Sequence, residues 1–252
     1  MAIRVAIASR RLGPHGDVFP TGKLEPMVAA NLLGSIAKGS AAHAHTSAWI
    51  VSVLRKRISE GKLTPGSKLS EQSLSEALGV SRNTLREAFA VLSAESVITR
   101  IPNRGVFVTE PTVNDVREIY RVRQFIEPAA VLWATPSSAQ YAEMHEIVEA
   151  ALSAKAEGAV GAMANANQRL HQAIVGMCGS PTLDEVMERV LAQMRLVFYS
   201  MSSTPDFHSH YVERNAALVQ LIGDGKREEA AGELREYLES AEAELLSHVV
   251  NR

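Results

Sequence analysis

The run Gly79-Val80-Ser81-Arg82-Asn83-Thr84-Leu85-Arg86-Glu87-Ala88 limits this chain more than any other stretch. A glycine turn followed by a serine cap fixes two short helices at one corner. Upstream, Leu69, Leu74 and Leu78 with Ala77 give a short amphipathic helix that Ser70 can N-cap, and Glu71 suits the positive end of its dipole. Downstream, Leu85, Ala88, Phe89 and Leu92 recur at helical spacing and predict a buried face. Arg82, Asn83 and Arg86 are left on the outside, at the N-terminal end.

Such an end is what a major groove admits. Arginine suits the O6/N7 edge of guanine or a phosphate, and asparagine suits the N6/N7 edge of adenine. Two β-branched runs follow, Val97-Ile98-Thr99-Arg100-Ile101 and Gly105-Val106-Phe107-Val108-Thr109, with Pro102-Asn103-Arg104 between them. They predict a hairpin wing whose tip, Arg104 beside Gly105, can meet phosphate or the minor groove. An earlier helix over Ala48 to Ile58 places Ile50, Val51, Leu54 and Ile58 on one face and stops at Gly61, before the turn Leu63-Thr64-Pro65-Gly66. A lone helical corner would say little. The corner, the outward Arg/Asn/Arg set and a basic wing in this order predict a winged helix-turn-helix that binds double-stranded DNA.

Charge divides the chain in the same way. Residues 45–110 carry a net +3 and residues 111–252 a net −8, so a basic reader precedes an acidic region that should avoid DNA. From Thr112 onward the pattern is helical. Asp115, Ile119, Val122, Ile126, Ala129 and Ala130 mark one long helix, and Pro136-Ser137-Ser138 ends it. A second helix contains Met144, Ile147, Val148 and Leu152, and four more are expected over 162–177, 183–201, 211–222 and 227–249. The expected fold is mainly α: an N-terminal winged helix-turn-helix with a small β-hairpin wing, then an all-α bundle of six to seven helices.

The expected domains are an N-terminal extension over 1–44, the reader over 45–109 and the helical domain over 110–252. The extension is rich in Gly, Pro and Ala, with one short helical stretch over Pro26 to Ala37, and reads as a flexible arm or as sequence upstream of a start at Met27. Cys178 is the single cysteine, which excludes an internal disulfide framework, and its apolar neighbours suggest an inert core residue. No run has the length of a membrane span and no signal-peptide core precedes Arg10 and Arg11, so a cytoplasmic address without membrane contact is expected. No phosphate loop, nucleophile elbow or acid/base constellation is visible, which argues against an enzyme. His43, His45, His208 and His210 fall in loop-like regions and are expected to be solvated.

Leu63-Thr64-Pro65-Gly66-Ser67-Lys68-Leu69-Ser70-Glu71, Leu85-Arg86-Glu87-Ala88 and Pro102-Asn103-Arg104-Gly105-Val106-Phe107-Val108 resemble the winged-helix domain of GntR-family bacterial regulators. The resemblance implies DNA contacts from Arg82, Asn83, Thr84 and Arg86, from Arg104 and Gly105 in the wing, and from Gln72 on the preceding helix. Asn83-Thr84 stands where many members carry Thr-Pro, which suggests an altered base preference. The helical half is similar to the FCD domain of the FadR subfamily, through Asp115, Glu118-Ile119-Tyr120, Arg123, Ile126-Glu127, Asn167, Leu170-His171, Leu218-Val219, Ile222 and Gly225. Together the two resemblances span residues 46–250.

In many FCD members an acidic or amide residue and a histidine one turn apart, with two further histidines, hold a divalent metal. Asn167 and His171 keep the first pair, but by spacing the later positions fall on Asn215 and Tyr237. Such a set is poor for zinc or nickel. No cofactor is therefore expected, a divalent metal on Asn167 and His171 being the alternative. The effector the resemblance implies is read as a small organic acid, with Arg123, Asn167, His171, Asn215, Tyr237 and Arg195 as candidate contacts. Arg123 either clamps its carboxylate or pairs with Glu127 one turn away. A homodimer on an inverted-repeat operator is expected, because one reader spans few base pairs. The competing readings are a nucleoid-type binder without effector and a metal-dependent enzyme in the helical region.

Overall fold

The computed structural model describes residues 46–199, 201 and 205–250. The extension over 1–44, with Met27, the Pro26 to Ala37 stretch, His43 and, beyond it, His45, lies outside the described residues. The reader runs α1 (Thr46–Ser59), β1 (Lys68–Leu69), α2 (Glu71–Leu78), α3 (Arg82–Ala94), β2 (Ile98–Ile101) and β3 (Gly105–Val108). The bundle follows as α4 (Val113–Trp133), α5 (Ser138–Ala156), α6 (Val160–Gly176), α7 (Pro181–Tyr199), α8 (Pro205–Gly223) and α9 (Arg227–Val250). Six bundle helices stand among the described residues. Among the described residues no helix is long and apolar enough to cross a membrane.

Local chemistry explains the corner. The Ser70 hydroxyl accepts from the Ser73 amide, Gly79 closes α2 at φ +67, and the Ser81 hydroxyl accepts from the Thr84 amide to start α3. An L-residue at Gly79 would be strained in that left-handed conformation. Ile50, Val51, Leu54 and Ile58 of α1 and Leu85, Ala88, Phe89 and Leu92 of α3 are buried, as their spacing predicts. Two details differ. Ala77 is exposed and Ser75 takes the inner face of α2, while Leu69 lies in a strand ahead of the helix. That strand makes the wing a three-stranded antiparallel sheet, ordered β1-β3-β2, with Lys68 opposite Phe107 and Ile101 opposite Gly105.

Thr112 and Asp115 form a capping box at α4, and Ser137 with Gln140 form another at α5. The helices after them bury one continuous core, in which α4 packs along α9 and α6 packs between α5 and α7. Helix α7 serves both domains. Its Ala192 and Leu196 complete the apolar core of the reader, while Met194, Val197 and Phe198 belong to the bundle core. Arg55 of α1 ties the joint, at 2.7 Å from Glu95 in the reader and 3.1 Å from Glu188 on α7.

Three expectations in the helical half are corrected. The helix expected from Tyr211 begins at Pro205, so His208 and His210 are helical, and His208 is buried rather than solvated. Leu152 is exposed on the outer side of α5. Cys178 is exposed, because it falls in the turn between α6 and α7, beyond the last buried face.

Candidate functional site

Arg82, Asn83 and Arg86 all stand exposed in the first turns of α3. Thr84 is half-buried and its hydroxyl lies 2.7 Å from that of Ser81, so it serves the cap as well as the surface. The Arg86 Nε and Nη2 both reach Glu71 Oε2 at 2.9 Å, and Arg100 Nη2 donates to the Arg86 carbonyl at 2.8 Å. An exposed pair of this kind contributes little to stability, so Arg86 can exchange Glu71 for a base or a phosphate at low cost. Gln72 is exposed beside it and bonds Glu76.

At the wing, Arg104 and Lys68 flank the Phe107 ring, 5.9 and 5.8 Å from its centroid. Gly105 adopts φ +116, and a Cβ there would lie 3.2 Å from Lys68 Cε. Lys68 and Arg100 extend the basic surface beyond the residues the sequence pointed to. Their signal was absent because β1 is two residues long and Arg100 sits inside an apolar run.

The candidate effector residues converge inside the bundle, with one exception. Arg123 Nε donates to Glu127 Oε1 at 2.7 Å, and Glu127 Oε2 lies 2.6 Å from His171 Nδ1. His171 Nε2 is 3.3 Å from the Tyr237 hydroxyl, which donates to Asn167 Oδ1 at 2.8 Å, and Asn215 Nδ2 donates to the same oxygen at 2.9 Å. All six side chains are buried. Arg123 thus meets the carboxylate of its own helix, and Glu127 is the hub.

Burial alone would raise the Glu127 carboxyl, but Arg123 and His171 outweigh it and hold the group down at about 2. Burial pushes the His171 imidazole down despite the attraction of Glu127. An ionised Glu127 beside a neutral His171 selects the Nδ1-protonated tautomer. Two polar atoms of the cluster remain buried with no hydrogen-bond partner, Arg123 Nη2 and Asn215 Oδ1.

Arg195 is not part of this hydrogen-bonded cluster. It shares the face of α7 that Ala192 and Leu196 turn to the reader, and a Cβ on Gly61 would fall 2.4 Å from its Nη2. Its Nη1 is buried without a partner. His208 takes the place Arg195 was expected to hold: with Tyr120, Asn167, Phe198, Tyr211 and Tyr237 it lines a cavity of about 10 Å³. That volume admits about one water. Among the described residues this cavity is lined by both polar and aromatic groups. A wider groove of about 770 Å³ lies at the joint, between α1, α6 and α7, with Lys56, Lys62 and Arg169 on its walls.

The cluster does not fit a transition metal. It offers one imidazole, whose Nδ1 is engaged by a carboxylate that Arg123 already holds, together with two amides and a phenol. Zinc and nickel sites draw on several nitrogen, sulfur or carboxylate donors. Among the described residues no three His, Cys, Asp or Glu side chains gather at one point.

The winged-helix family of bacterial regulatory proteins, gntR family, matches residues 46–108, and the FCD domain matches residues 118–240. Among relatives, the HTH-type transcriptional regulator McbR of Escherichia coli (strain K12) is 29% identical over 160 residues, 62% of this chain and 72% of that one. The Nta operon transcriptional regulator of Aminobacter aminovorans is 26% identical over 171 residues, 66% of this chain and 79% of its own. The crystal structure of a GntR transcriptional regulator from Rhodococcus sp. RHA1 superposes with a TM-score of 0.71 at 34% identity, covering 80% of this chain and 97% of that one.

Proposed function

The chain belongs to the GntR family of bacterial transcriptional regulators and pairs its winged helix with an FCD domain; from that premise we propose a regulator whose operator affinity is set by a small organic acid bound in the helical domain. DNA binding follows from the family, and the relatives are transcriptional regulators rather than enzymes. The finer reading is that it works in the cytoplasm as a homodimer on an inverted repeat, because one winged helix contacts too few base pairs for a genome.

The observation that carries the effector reading is the pair of unmatched atoms in the sealed cluster. Arg123 Nη2 is a cationic donor and Asn215 Oδ1 an acceptor, both buried without a hydrogen-bond partner, although the guanidinium lies 5.0 Å from the centre of the Tyr120 ring. Leaving such groups unpaired is costly, and a carboxylate that also carries a hydroxyl or amine would satisfy both. Asn167 and Tyr237 also line a cavity of about 10 Å³, and a ligand larger than a water would enlarge it by moving the side chains and helices around it. The ligand therefore discriminates between two arrangements of the bundle, which is what coupling to the reader requires. The same donor chemistry favours an organic effector over a metal.

The test starts from a random duplex pool. Duplexes selected by the full-length protein should share an inverted repeat, and a panel of carboxylic acids, sugars and neutral metabolites is then screened for a change in operator affinity. An acidic compound should act on the wild type and lose at least tenfold in potency on Arg123→Gln. A response only to uncharged compounds, or equal potency on the variant, would refute the effector reading while leaving DNA binding intact.

A further inference from the structure

The groove of about 770 Å³ at the joint between reader and bundle takes no part in the effector cluster. Three helices build it. Helix α1 brings Lys56, α6 brings Asn165 and Arg169 one turn apart on one face, and α7 brings Glu188 and Leu191. Gln168 Nε2 donates to the Leu191 carbonyl at 2.8 Å, which ties α6 to α7 at this place. Small-molecule sites occupy about 300–1,000 Å³, so the size is right for a ligand. Leu191 is the one apolar residue among those that line the groove. Such walls select a ligand that is polar throughout, in preference to an acyl chain or an aromatic ring.

The charges on the walls do not cancel. Glu60 is taken by Lys62 at 2.6 Å and Glu188 by Arg55 at 3.1 Å. Lys56 and Arg169 are left, both exposed and without an ion-pair partner among the described residues. Two uncommitted cations on different helices suit one phosphate, whose oxygens can meet an ammonium and a guanidinium together. Asn165 adds a second requirement. Its Oδ1 is buried with no hydrogen-bond partner, one turn before Arg169, so a hydroxyl beside the anion would satisfy it after a small turn of the amide. The backbone of a bound duplex is badly placed to supply that phosphate. Arg55, on the groove wall, also bonds Glu95 at the C-terminal cap of α3, so the groove lies at the far end of that helix from Arg82, about 20 Å away at 1.5 Å per residue.

We infer that this groove is a second binding site, for a phosphorylated sugar, with its phosphate between Lys56 and Arg169 and a hydroxyl on Asn165 Oδ1. The inference goes beyond the effector reading and does not depend on it, since Arg123 and His171 are buried in the bundle and absent from these walls. Lys56 belongs to the reader and Arg169 to the bundle. A ligand held by both bridges the two domains and stabilises the joint they share.

The experiment uses the full chain. A panel of hexose and pentose phosphates is screened by melting temperature beside the parent sugars and inorganic phosphate, and titration calorimetry follows on those that respond. A sugar phosphate should raise the melting temperature and bind once per chain, the parent sugar should not bind, and inorganic phosphate should bind about tenfold more weakly. Lys56→Gln with Arg169→Gln should weaken the sugar phosphate about thirtyfold or more, with the melting temperature of the free protein kept because both side chains are exposed. Asn165→Ala should weaken the sugar phosphate about fivefold and leave inorganic phosphate unchanged. Arg123→Gln should bind the sugar phosphate as wild type does, which separates this site from the buried cluster. No melting shift from any phosphate of the panel, or equal affinity in the double variant, overturns the inference and leaves the effector reading untouched. Equal affinity for inorganic phosphate reduces the groove to an anion patch and overturns the sugar. Binding lost on Arg123→Gln moves the ligand to the cluster, and duplex binding weakened by the double variant in the absence of ligand assigns the groove to the DNA backbone; either result overturns the inference.

Discussion

Arg123 and Glu127 stand one turn apart on α4 with Nε 2.7 Å from Oε1, and both side chains are sealed from solvent. The pair carries a third member, since His171 Nδ1 holds the other Glu127 oxygen at 2.6 Å. Breaking one side of such a pair leaves a buried charge uncompensated, which typically costs about 3–5 kcal/mol. Arg123→Met should therefore destabilise the chain by that order in urea denaturation. Arg123→Met with Glu127→Gln should recover most of the loss, because the amide is neutral and its oxygen still accepts from His171. A double variant less stable than Arg123→Met would show that the charges themselves hold the bundle together.

On the DNA side, Arg82 and Arg86 are expected to carry sequence discrimination and Arg104 general affinity. Either Arg82→Ala or Arg86→Ala should cost about 1–3 kcal/mol on the selected operator and narrow its preference over scrambled duplex. Glu71→Ala releases Arg86 from its 2.9 Å partner and should alter specificity more than stability. Arg104→Ala should weaken all duplexes alike and reduce the salt slope by about one. Fluorescence anisotropy at several salt concentrations separates the two behaviours. Unchanged discrimination in both α3 variants would remove that helix from the reading role.

The third expectation concerns metal. Asn215 and Tyr237 both point at Asn167 Oδ1, and His171 Nε2 faces the Tyr237 hydroxyl at 3.3 Å. Wild-type protein should hold far less than one zinc or nickel per chain by elemental analysis. Asn215→His with Tyr237→His adds two imidazoles beside His171 and should bind one, with a metal-dependent rise in melting temperature. A stoichiometric metal in wild type, lost with His171→Ala, would contradict this.

How far these features were legible in the sequence depends on how local their causes are. The reader's helices follow from the caps at Ser70 and Ser81 and from the spacing of Leu85, Phe89 and Leu92, all short-range signals. Strand β1 was not legible, because Lys68 and Leu69 become a strand only by pairing with Phe107 and Val106, almost forty residues later. Asn167 and His171 share a face by periodicity alone, but their meeting with Asn215 and Tyr237 is tertiary and came through family resemblance. Glu127 was legible as a partner for Arg123 one turn away, but its role as hub needed the approach of α6. Arg195 was grouped with the effector residues because α7 looks like one apolar helix. In the fold that helix serves two cores, and Arg195 points to Gly61 at the joint.

His208 was read as a loop residue because Pro205 and the polar residues before it suggest a break, although Phe207 and Tyr211 at helical spacing were the available signal. Its ring instead packs edge-on to Phe198 and Phe207 at 5.4 and 5.1 Å. Burial, with a smaller contribution from the nearby Arg195 cation, pushes its pKa down to about 4. The unfolded chain protonates this histidine near 6.5 while the folded chain does not, so the unfolded state binds more protons between those values. Stability should thus be flat above pH 6.5 and fall as pH drops from 6.5 towards 4, by up to about 3 kcal/mol from this group. His171, also lowered, acts in the same direction, and Glu127 adds its own loss only as pH falls from 4.5 towards 2. Urea denaturation at pH 7, 6, 5 and 4.5 should show the decline, and His208→Gln should flatten some of it at a cost in stability at pH 7. An identical pH slope in wild type and His208→Gln would mean that His208 is hydrated in solution rather than buried among the rings of Phe198 and Phe207.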